Sequence, residues 1–154
     1  MTLDQCKAIV TTLTRTNVAG SKRFFIRSRI PTLNEYTDVS RWNKYASANM
    51  KKRVERNIMW EARTQLKSWK ARNPVFLVFH WVEKDKRRDH DNVAFGKKFI
   101  QDALVSLRVL EGDGWKHVIG FLDVFSVNKN NPGVEVVILE VSNEQCGKRF
   151  ASQD

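Results

Sequence analysis

The feature that most constrains the fold is the apolar run from Val75 to Val82, which reads VFLVFHWV. Such a run is far shorter than the roughly 20 residues that a helix needs to cross a membrane. Its β-branched and aromatic content is typical of a buried strand. A charged stretch from Glu83 to Asp113 follows the run directly. We therefore expect a strand inside the protein that leads into a cluster of ionisable side chains.

Two closely spaced acids follow this strand before the pattern changes to that of a helix. Asp89 and Asp91 are two residues apart, so in a continuing strand both carboxylates would point to the same face. Asp91 or Asn92 also occupies the position expected of a helix N-cap. The apolar residues that then recur at helical spacing are Ile100, Ala103, Leu104 and Leu107.

A lysine and a third acid extend this cluster. On the predicted helix, the residues Asp91, Phe95, Lys98 and Asp102 fall on one stripe. This stripe places the Lys98 ammonium on the acidic side. The helix is expected to end before a glycine-containing turn, in which Asp113 offers a further carboxylate. The sequence therefore groups three aspartates with one lysine.

Such a group is unfavourable unless a cation neutralises the carboxylates. Oxygen ligands favour a hard divalent ion, Mg²⁺ or in its place Mn²⁺. That ion can polarise a phosphodiester and activate water, while a lysine offsets charge developing on the phosphate. The residues thus point to metal-assisted phosphodiester hydrolysis. The alternative is that the aspartates serve only as a helix cap and as solvated turn residues.

Four short motifs in a fixed order narrow this hypothesis. They are RRDHDN at 87–92, KK at 97–98, DAL at 102–104 and GD at 112–113. Their order and spacing resemble the RusA family of Holliday junction endonucleases. The signature of that family is a basic pair, Arg-Asp-x-Asp-Asn, a lysine on the following helix, Asp-Ala-Leu and an acidic turn. The resemblance extends from about Phe25 to Val141.

The resemblance also implies catalytic and metal-binding residues. The aspartates that match the family's catalytic, metal-binding set are Asp89, Asp91 and Asp113. The family's lysine usually follows the second aspartate by one helical turn, where this chain has Phe95. Counting back from the Asp-Ala-Leu motif instead gives Lys98 as the catalytic lysine, with Lys97 left open. The acidic turn departs from the common Asp-Asp, since Gly112 precedes Asp113.

The activity that the resemblance implies is resolution of four-way DNA junctions by paired symmetric nicks, in DNA recombination and repair. Two symmetric cuts require two sites, so a homodimer is implied by two-fold symmetry. Small members of the family occur in bacteria, phages and prophages. We therefore expect the cytoplasm of a bacterial host cell, with host or phage origin left open. A nuclease of other branched DNA is an alternative substrate assignment.

The net charge independently favours a polyanionic partner. The 154 residues hold 27 Lys and Arg against 17 Asp and Glu, which gives a formal charge of +10. This balance is typical of proteins that bind nucleic acid or an anionic membrane surface. A rival hypothesis is therefore a basic nucleic-acid-binding protein without catalysis.

Much of this charge lies on a long helix predicted from Arg41 to Arg72. Its expected cap is Asp38 or Ser40, and Asn73-Pro74 follows its end. Its apolar stripe at four-residue steps consists of Met50, Val54, Ile58, Ala62 and Leu66. Few acids balance the basic residues on the rest of this helix, which favours phosphate contact by part of its surface.

The expected nucleic-acid contacts combine this helix with the central motif. Arg87 and Arg88 are expected to position phosphates. Asn34 is included because the segment Pro31–Tyr36 resembles a Pro-x-x-Asn loop that follows the first strand in RusA-like sequences. A simple turn is the alternative for that segment. The remaining expected contacts are Lys51, Lys52, Arg56 and Lys97.

Together the elements predict one α/β domain over residues 1–154, with a mixed sheet of about four strands packed against helices. The last two strands, Trp115–Val127 and Val134–Val141, are expected to form a hairpin around the turn sequence NKNNPG. Residues 1–20 are expected to form a helical extension that begins with a capping box at Thr2–Gln5, and 142–154 a polar tail. No signal peptide or membrane span is expected.

Overall fold

The structure, a computed structural model, describes residues 2, 4–5, 8, 11–12 and 21–141. In residues 21–141 four strands form one mixed sheet, and helices pack against it. The prediction of an α/β fold with about four strands is confirmed. The elements are β1 (Ser21–Ile26), α1 (Leu33–Trp42), α2 (Lys44–Leu66), β2 (Val75–Glu83), α3 (His90–Ala94), α4 (Lys97–Ser106), β3 (Val118–Val127) and β4 (Gly133–Glu140).

The last strand in sequence lies inside the sheet. The spatial order is β1-β4-β2-β3, in which β4 is antiparallel to both of its neighbours and β3 is parallel to β2. The predicted hairpin is therefore wrong, because β2 separates β3 from β4. The first of these strands also begins at Val118, so Trp115 lies in the preceding turn.

The NKNNPG segment nevertheless forms a turn. The Asn128 side chain accepts hydrogen bonds from the backbone N–H groups of Asn130 at 3.1 Å and Asn131 at 3.3 Å. The Asn128 N–H itself donates to the carbonyl of Glu83, the last residue of β2. The turn thus lies at the end of β2, and the returning chain enters the sheet on the other side of that strand.

The apolar run predicted as a buried strand is β2, which extends one residue further, to Glu83. Leu77, Phe79 and Trp81 of this strand are buried in the main core. The predicted apolar stripe of the long helix packs against them from α2. Its four buried members are Val54, Ile58, Ala62 and Leu66, with Met50 partly buried beside them.

The long helix predicted from Arg41 to Arg72 is wrong in its bounds, because two helices meet at Asn43. The Asn43 side chain accepts hydrogen bonds from the N–H groups of Tyr45 at 2.8 Å and Ala46 at 3.4 Å. Asn43 therefore caps α2, in place of the predicted Asp38 or Ser40. At the other end α2 stops at Leu66, since Lys67 adopts a φ of 56°.

The segment Pro31–Tyr36 is a helix start, so the predicted loop or turn is wrong. Thr32 is the N-cap of α1 and forms a reciprocal capping box with Glu35. Thr-x-x-Glu is the sequence pattern that stabilises such a start. Asn34 consequently lies in the first turn of α1, where it is exposed.

The segment that carries the first two aspartates is helical, which corrects the strand geometry assumed for it. Strand β2 ends at Glu83, Asp89 takes the N-cap position of α3, and Asp91 lies in the first turn. The predicted cap at Asp91 or Asn92 is therefore wrong by two or three residues. The helix is also interrupted, because α4 begins only at Lys97.

The interruption lies at Gly96, which passes close to the sheet. A Cβ atom at Gly96 would lie 2.6 Å from Ile30 Cγ2 and 3.2 Å from the Trp81 ring. No side chain fits in this space, so glycine allows α4 to approach β2. This contact sets the position of α4 relative to the sheet.

At the N-terminus the predicted capping box is confirmed. The Thr2 N–H donates to Gln5 Oε1 at 2.7 Å, and the Gln5 N–H donates to Thr2 Oγ1 at 3.2 Å. The remainder of the predicted extension lies largely outside the described residues, and the predicted polar tail from 142 onwards lies wholly outside them. None of the helices formed by described residues is sufficiently long and apolar to cross a bilayer.

Candidate active site

Lys98 of α4 contacts two of the acids in the four sequence motifs. Its Nζ donates to Asp102 Oδ1 at 2.7 Å and to Asp113 Oδ2 at 3.1 Å. Asp102 lies one turn further along α4, whereas Asp113 lies in the turn before β3. The side chains of Lys98 and Asp113 are 55% and 47% exposed. An ammonium held by two carboxylates is thus open to solvent.

Asp102 connects this lysine to the long helix. Its Oδ2 lies 2.9 Å from the Nζ of Lys51, which also lies 3.5 Å from Glu55. Burial raises the pKa of Asp102, but hydrogen bonds from Lys98 and Lys51 outweigh it and leave this pKa below its ordinary value. The same hydrogen bonds to Asp102 raise the pKa values of Lys98 and Lys51. The predicted nucleic-acid contact Lys51 is therefore engaged within the protein.

Lys97 makes a separate ion pair on the other side of α4. It contacts Asp123 of β3, and both side chains are only 19% exposed. Asp123 also accepts a hydrogen bond from Trp81 Nε1 at 2.8 Å, and the Lys97 Nζ lies 4.3 Å from the centre of the Phe121 ring. Of the two adjacent lysines, Lys98 is the one that contacts Asp113.

Asp123 was not among the residues that the sequence pattern singled out. The only signal for it is a single acid in the middle of the apolar strand sequence VIGFLDVFSV. A carboxylate at such a position needs a partner, and β2 and α4 provide two. Its role is to fix Lys97 and Trp81 beside the site.

Phe95 occupies the position at which the RusA-like lysine is usually found. Its ring centre lies 5.5 Å from that of Tyr36 and 5.5 Å from that of Phe99. The side chain thus packs with other aromatic rings beneath α3 and α4. An ammonium at this place would lie among those rings.

Asp89 and Asp91 lie exposed at the start of α3. Asp89 has the backbone conformation of an N-cap, yet its side chain makes no capping hydrogen bond. Within the part of the chain that the structure describes, neither carboxylate takes part in a side-chain hydrogen bond or an ion pair. The Asp89 carbonyl accepts the first helical hydrogen bond, from the Val93 N–H at 3.1 Å, but no backbone N–H of the described residues donates to the Asp89 carboxylate.

His90, between the two aspartates, anchors this short helix. Its ring stacks on Phe125 of β3, with 4.0 Å between ring centres and an angle of 13° between the planes. Because β3 is the edge strand beside β2, this stacking holds the start of α3 against the sheet edge. The flanking aspartates are thereby positioned without using their carboxylates.

The predicted metal ligands do not form a complete cluster. Among the described residues, no three His, Cys, Asp or Glu side chains lie close enough together to share one ion. The structure brings Asp113 to Lys98, and it places Asp89 and Asp91 together at another element. The donor chemistry nonetheless fits a hard cation, because Mg²⁺ is commonly held through one or two carboxylates plus waters and a substrate phosphate.

A basic cleft lies between the ends of β1 and β2. One of its lining residues is Arg88, which directly precedes Asp89 in the sequence. The volume of the cleft is about 200 Å³, and its cationic lining residues are Arg27, Arg29, Lys84 and Arg88. Arg88 lies 3.5 Å from Glu83, which also lines the cleft, and Arg29 pairs with Glu35 of α1. The cleft carries more positive than negative groups and suits a small anionic group such as phosphate.

The other predicted nucleic-acid contacts are spread over the surface. Arg87 is exposed and lies 3.8 Å from Asp85. Lys52 and Arg56 are exposed on α2, on the side opposite its apolar stripe. Asn34 is exposed on α1. These residues remain accessible, whereas Lys51 and Lys97 are paired with carboxylates.

No protein-family model matches the sequence, and no curated protein matches it. The resemblance to RusA-like endonucleases therefore rests on the order and spacing of the motifs around the aspartates. Membership of that family stays a prediction.

Proposed function

We propose that the protein is a Mg²⁺-dependent endonuclease that resolves four-way DNA junctions by paired nicks, in recombination and repair, and that it acts as a homodimer. The observation that carries this proposal is the state of Asp89 and Asp91. Two exposed carboxylates stand at the start of α3, and the one at the N-cap position makes no capping hydrogen bond. Carboxylates that form no side-chain hydrogen bond or ion pair with the described residues and lie next to a cationic cleft are suited to binding a ligand.

In this proposal Asp89 and Asp91 hold the cation from the start of α3. A bound Mg²⁺ would polarise the phosphodiester and lower the pKa of a water molecule. Lys98 offsets the negative charge that develops on the phosphate oxygens. Asp113, which lies at another element than Asp89 and Asp91, contributes by orienting the Lys98 ammonium through their 3.1 Å hydrogen bond. The raised pKa of Lys98, caused first by its hydrogen bond to Asp102, keeps this ammonium charged at neutral pH.

The surrounding charge supports a DNA backbone as the substrate. Arg88 lines the basic cleft and directly precedes Asp89, so a phosphate in the cleft would lie next to the acids. Exposed Arg87, Lys52 and Arg56 add sequence-independent phosphate contacts. The preference for four-way junctions is supported by the RusA-like motif order alone. A nuclease of other branched DNA keeps the same chemistry and differs only in substrate.

The test compares wild-type protein with Asp91→Asn on an immobile four-way junction and on a matching linear duplex, with Mg²⁺ or with EDTA. Wild type should make symmetric, Mg²⁺-dependent nicks in the junction. Asp91→Asn should cut at least about 100-fold more slowly, since loss of even supporting groups around a metal lowers activity about 10- to 100-fold. Junction binding should be retained in the variant, because the substitution removes a negative charge and leaves every basic residue in place.

The matched control is Asp38→Asn, an exposed aspartate on α1 whose only ion pair among the described contacts is with Arg41 at 3.9 Å. It should cut at the wild-type rate. Wild-type cutting by Asp91→Asn would contradict the assignment of this site. Cutting in EDTA would contradict metal dependence.

The rival function, nucleic-acid binding without catalysis, is favoured by one observation. The exposed side of α2 carries Lys52, Arg56 and Arg63, and binding of nucleic acid by these residues would not require any of the three aspartates. It predicts binding that weakens steeply with salt, is insensitive to Mg²⁺ and never leads to a nick. The same junction assay separates the two functions.

A further inference from the structure

The most exposed tryptophan in the described part of the chain lies in the same turn as Asp113, which accepts a hydrogen bond from Lys98. Trp115 is 97% exposed and is two residues beyond Asp113. Large aromatic side chains usually bury most of their surface, but exposure of a single one does not by itself mark a contact surface, so the place of Trp115 in the chain decides its interpretation. The position of this indole, in the turn that carries a candidate catalytic acid, points to a role at that site.

The turn that presents Trp115 is held by its own backbone. The carbonyl of Gly114 accepts hydrogen bonds from the N–H groups of His117 at 2.9 Å and Val118 at 3.0 Å. At the other side of the turn the His117 ring lies so close to Gly112 that a Cβ there would be 2.8 Å from it. The backbone is therefore held on both sides of Trp115.

The spacing suits one strand of nucleic acid. Consecutive Cα atoms are about 3.8 Å apart, so the Cα atoms of Asp113 and Trp115 are at most about 7.6 Å apart. A phosphate near Asp113 and a base against Trp115 can thus belong to the same or neighbouring nucleotides. Lys98 and the exposed Lys116 provide positive charge beside this path.

We propose that Trp115 stacks on an unpaired base next to the phosphodiester that the site cuts, and so directs the protein to DNA with open base steps. This inference rests on the proposed function and names a residue that selects its substrate. In a continuous duplex both faces of each base are covered by neighbours, so the indole has no partner. At a branch point, or in single strands, bases offer a free face on which aromatic side chains stack.

The test measures binding in EDTA, where no cutting is expected, with 2-aminopurine placed at the branch point of a four-way junction. Trp115→Ala should bind this junction about 5- to 100-fold more weakly, the range expected for loss of one stacked base. Binding to linear duplex should not change, and the quenching of 2-aminopurine fluorescence that we expect with wild type should disappear. Trp115→Phe should recover part of the affinity because it keeps an aromatic face.

The matched control is Trp42→Ala, which removes an indole that is 91% exposed at the end of α1. It should leave junction affinity and quenching unchanged. Neither substitution should alter the thermal unfolding midpoint, since both side chains lie in solvent. Equal losses from both variants, or none from Trp115→Ala, would overturn the inference.

Three further results would decide how this inference stands relative to the proposed function. If wild type and Trp115→Ala cut and bind the junction equally, the nuclease function stands and the stacking role is wrong. If wild type shows no nucleic-acid binding, the function and the inference both fail. A smaller molecular mass of Trp115→Ala in light scattering, with unchanged DNA binding, would assign the indole to a protein contact and overturn stacking.

Discussion

Lys98 donates a hydrogen bond to Asp113 across 3.1 Å, although the two residues belong to different elements. The contact joins α4 to the turn before β3. It also distinguishes Lys98 from its neighbour Lys97, which is held by Asp123. Two adjacent lysines thus have different surroundings, one open to solvent and one largely buried, and they should respond differently to substitution.

Lys98→Met should impair cutting with little effect on stability. Its side chain is 55% exposed, and Lys51 still pairs with Asp102 in the variant, so the fold should stay intact. Loss of a group that stabilises charge in the transition state typically lowers the rate about 100- to 1,000-fold. Junction cleavage under single-turnover conditions, together with urea unfolding, measures both effects. A cleavage rate equal to that of wild type would remove Lys98 from the site.

Lys97→Met should have its main effect on stability. It leaves the carboxylate of Asp123 without its ammonium partner at a site where both side chains are 19% exposed. Discounted for the remaining solvent access, the loss should be about 1–2 kcal/mol in the free energy of unfolding. Urea denaturation of this variant beside Lys98→Met tests the contrast. Equal unfolding midpoints for wild type and Lys97→Met would contradict it.

Asp102 should make the stability depend on pH in the acid range. Its pKa is lowered below 3.8 in the folded state, because the hydrogen bonds from Lys98 and Lys51 outweigh the effect of burial. The unfolded chain therefore binds the proton more readily than the folded chain does. The stabilisation is fully present above the unfolded pKa and is lost as pH falls through the folded pKa.

Asp102→Asn should consequently remove part of this pH dependence. The urea midpoint should fall less between neutral pH and about pH 3 in the variant than in wild type. The variant should also be less stable than wild type at neutral pH. The control is Asp38→Asn, whose carboxylate is exposed on α1. A variant that loses as much stability on acidification as wild type would show that other groups carry the dependence.

Glu61 of α2 should stabilise the backbone that directly follows β1. It is 8% exposed, and its two carboxylate oxygens accept the backbone N–H groups of Arg27 at 2.6 Å and Ser28 at 2.9 Å. Glu61→Ala leaves both donors without an acceptor and should lower the free energy of unfolding by about 2–4 kcal/mol. Asn57→Ala, at an exposed position of the same helix, should change it by less than about 0.5 kcal/mol.

Gly96→Ala should destabilise the protein through crowding. The added Cβ would lie 2.6 Å from Ile30 Cγ2 and 3.2 Å from the Trp81 ring, so Ile30 or α4 must shift. Overpacking of this kind typically lowers stability by about 1–3 kcal/mol. Gly114→Ala is the control, because a Cβ there meets nothing within 4 Å. Equal thermal midpoints for the two variants would show that the contact at Gly96 relaxes freely.

Local patterns in the sequence predicted the elements better than the connections between them. The run VFLVFHWV identified β2, and the stripe of Val54, Ile58, Ala62 and Leu66 identified the buried side of α2. Both signals depend only on which side chains are apolar and how they are spaced. The break at Asn43 was missed because neither glycine nor proline marks it. Residue type alone does not distinguish an asparagine that caps a helix from one that lies exposed within a helix.

The sheet order and the assembly of the site depend on contacts between distant residues. Turn chemistry at 128–133 predicted a reversal, but it carries no information about which strand lies next to β4. Likewise, the stripe of Lys98 and Asp102 was visible in the sequence, whereas Asp123 became significant only through Lys97 and Trp81. The exposure of Trp115 could not be anticipated, since an aromatic residue before a strand usually belongs to it.

The inner position of β4 has a consequence for how the chain is made. Ser21 pairs with Leu139 and Leu77 with Ile138, so β1 and β2 are joined only through a strand that emerges from the ribosome after both. During translation, the edges of β1 and β2 that pair with β4 in the folded sheet therefore stay unpaired until β4 is available. Contacts this distant in sequence also slow folding, because a long loop must close first. The growing chain should therefore depend on its exposed charge, or on chaperones, to avoid aggregation until β4 has left the ribosome.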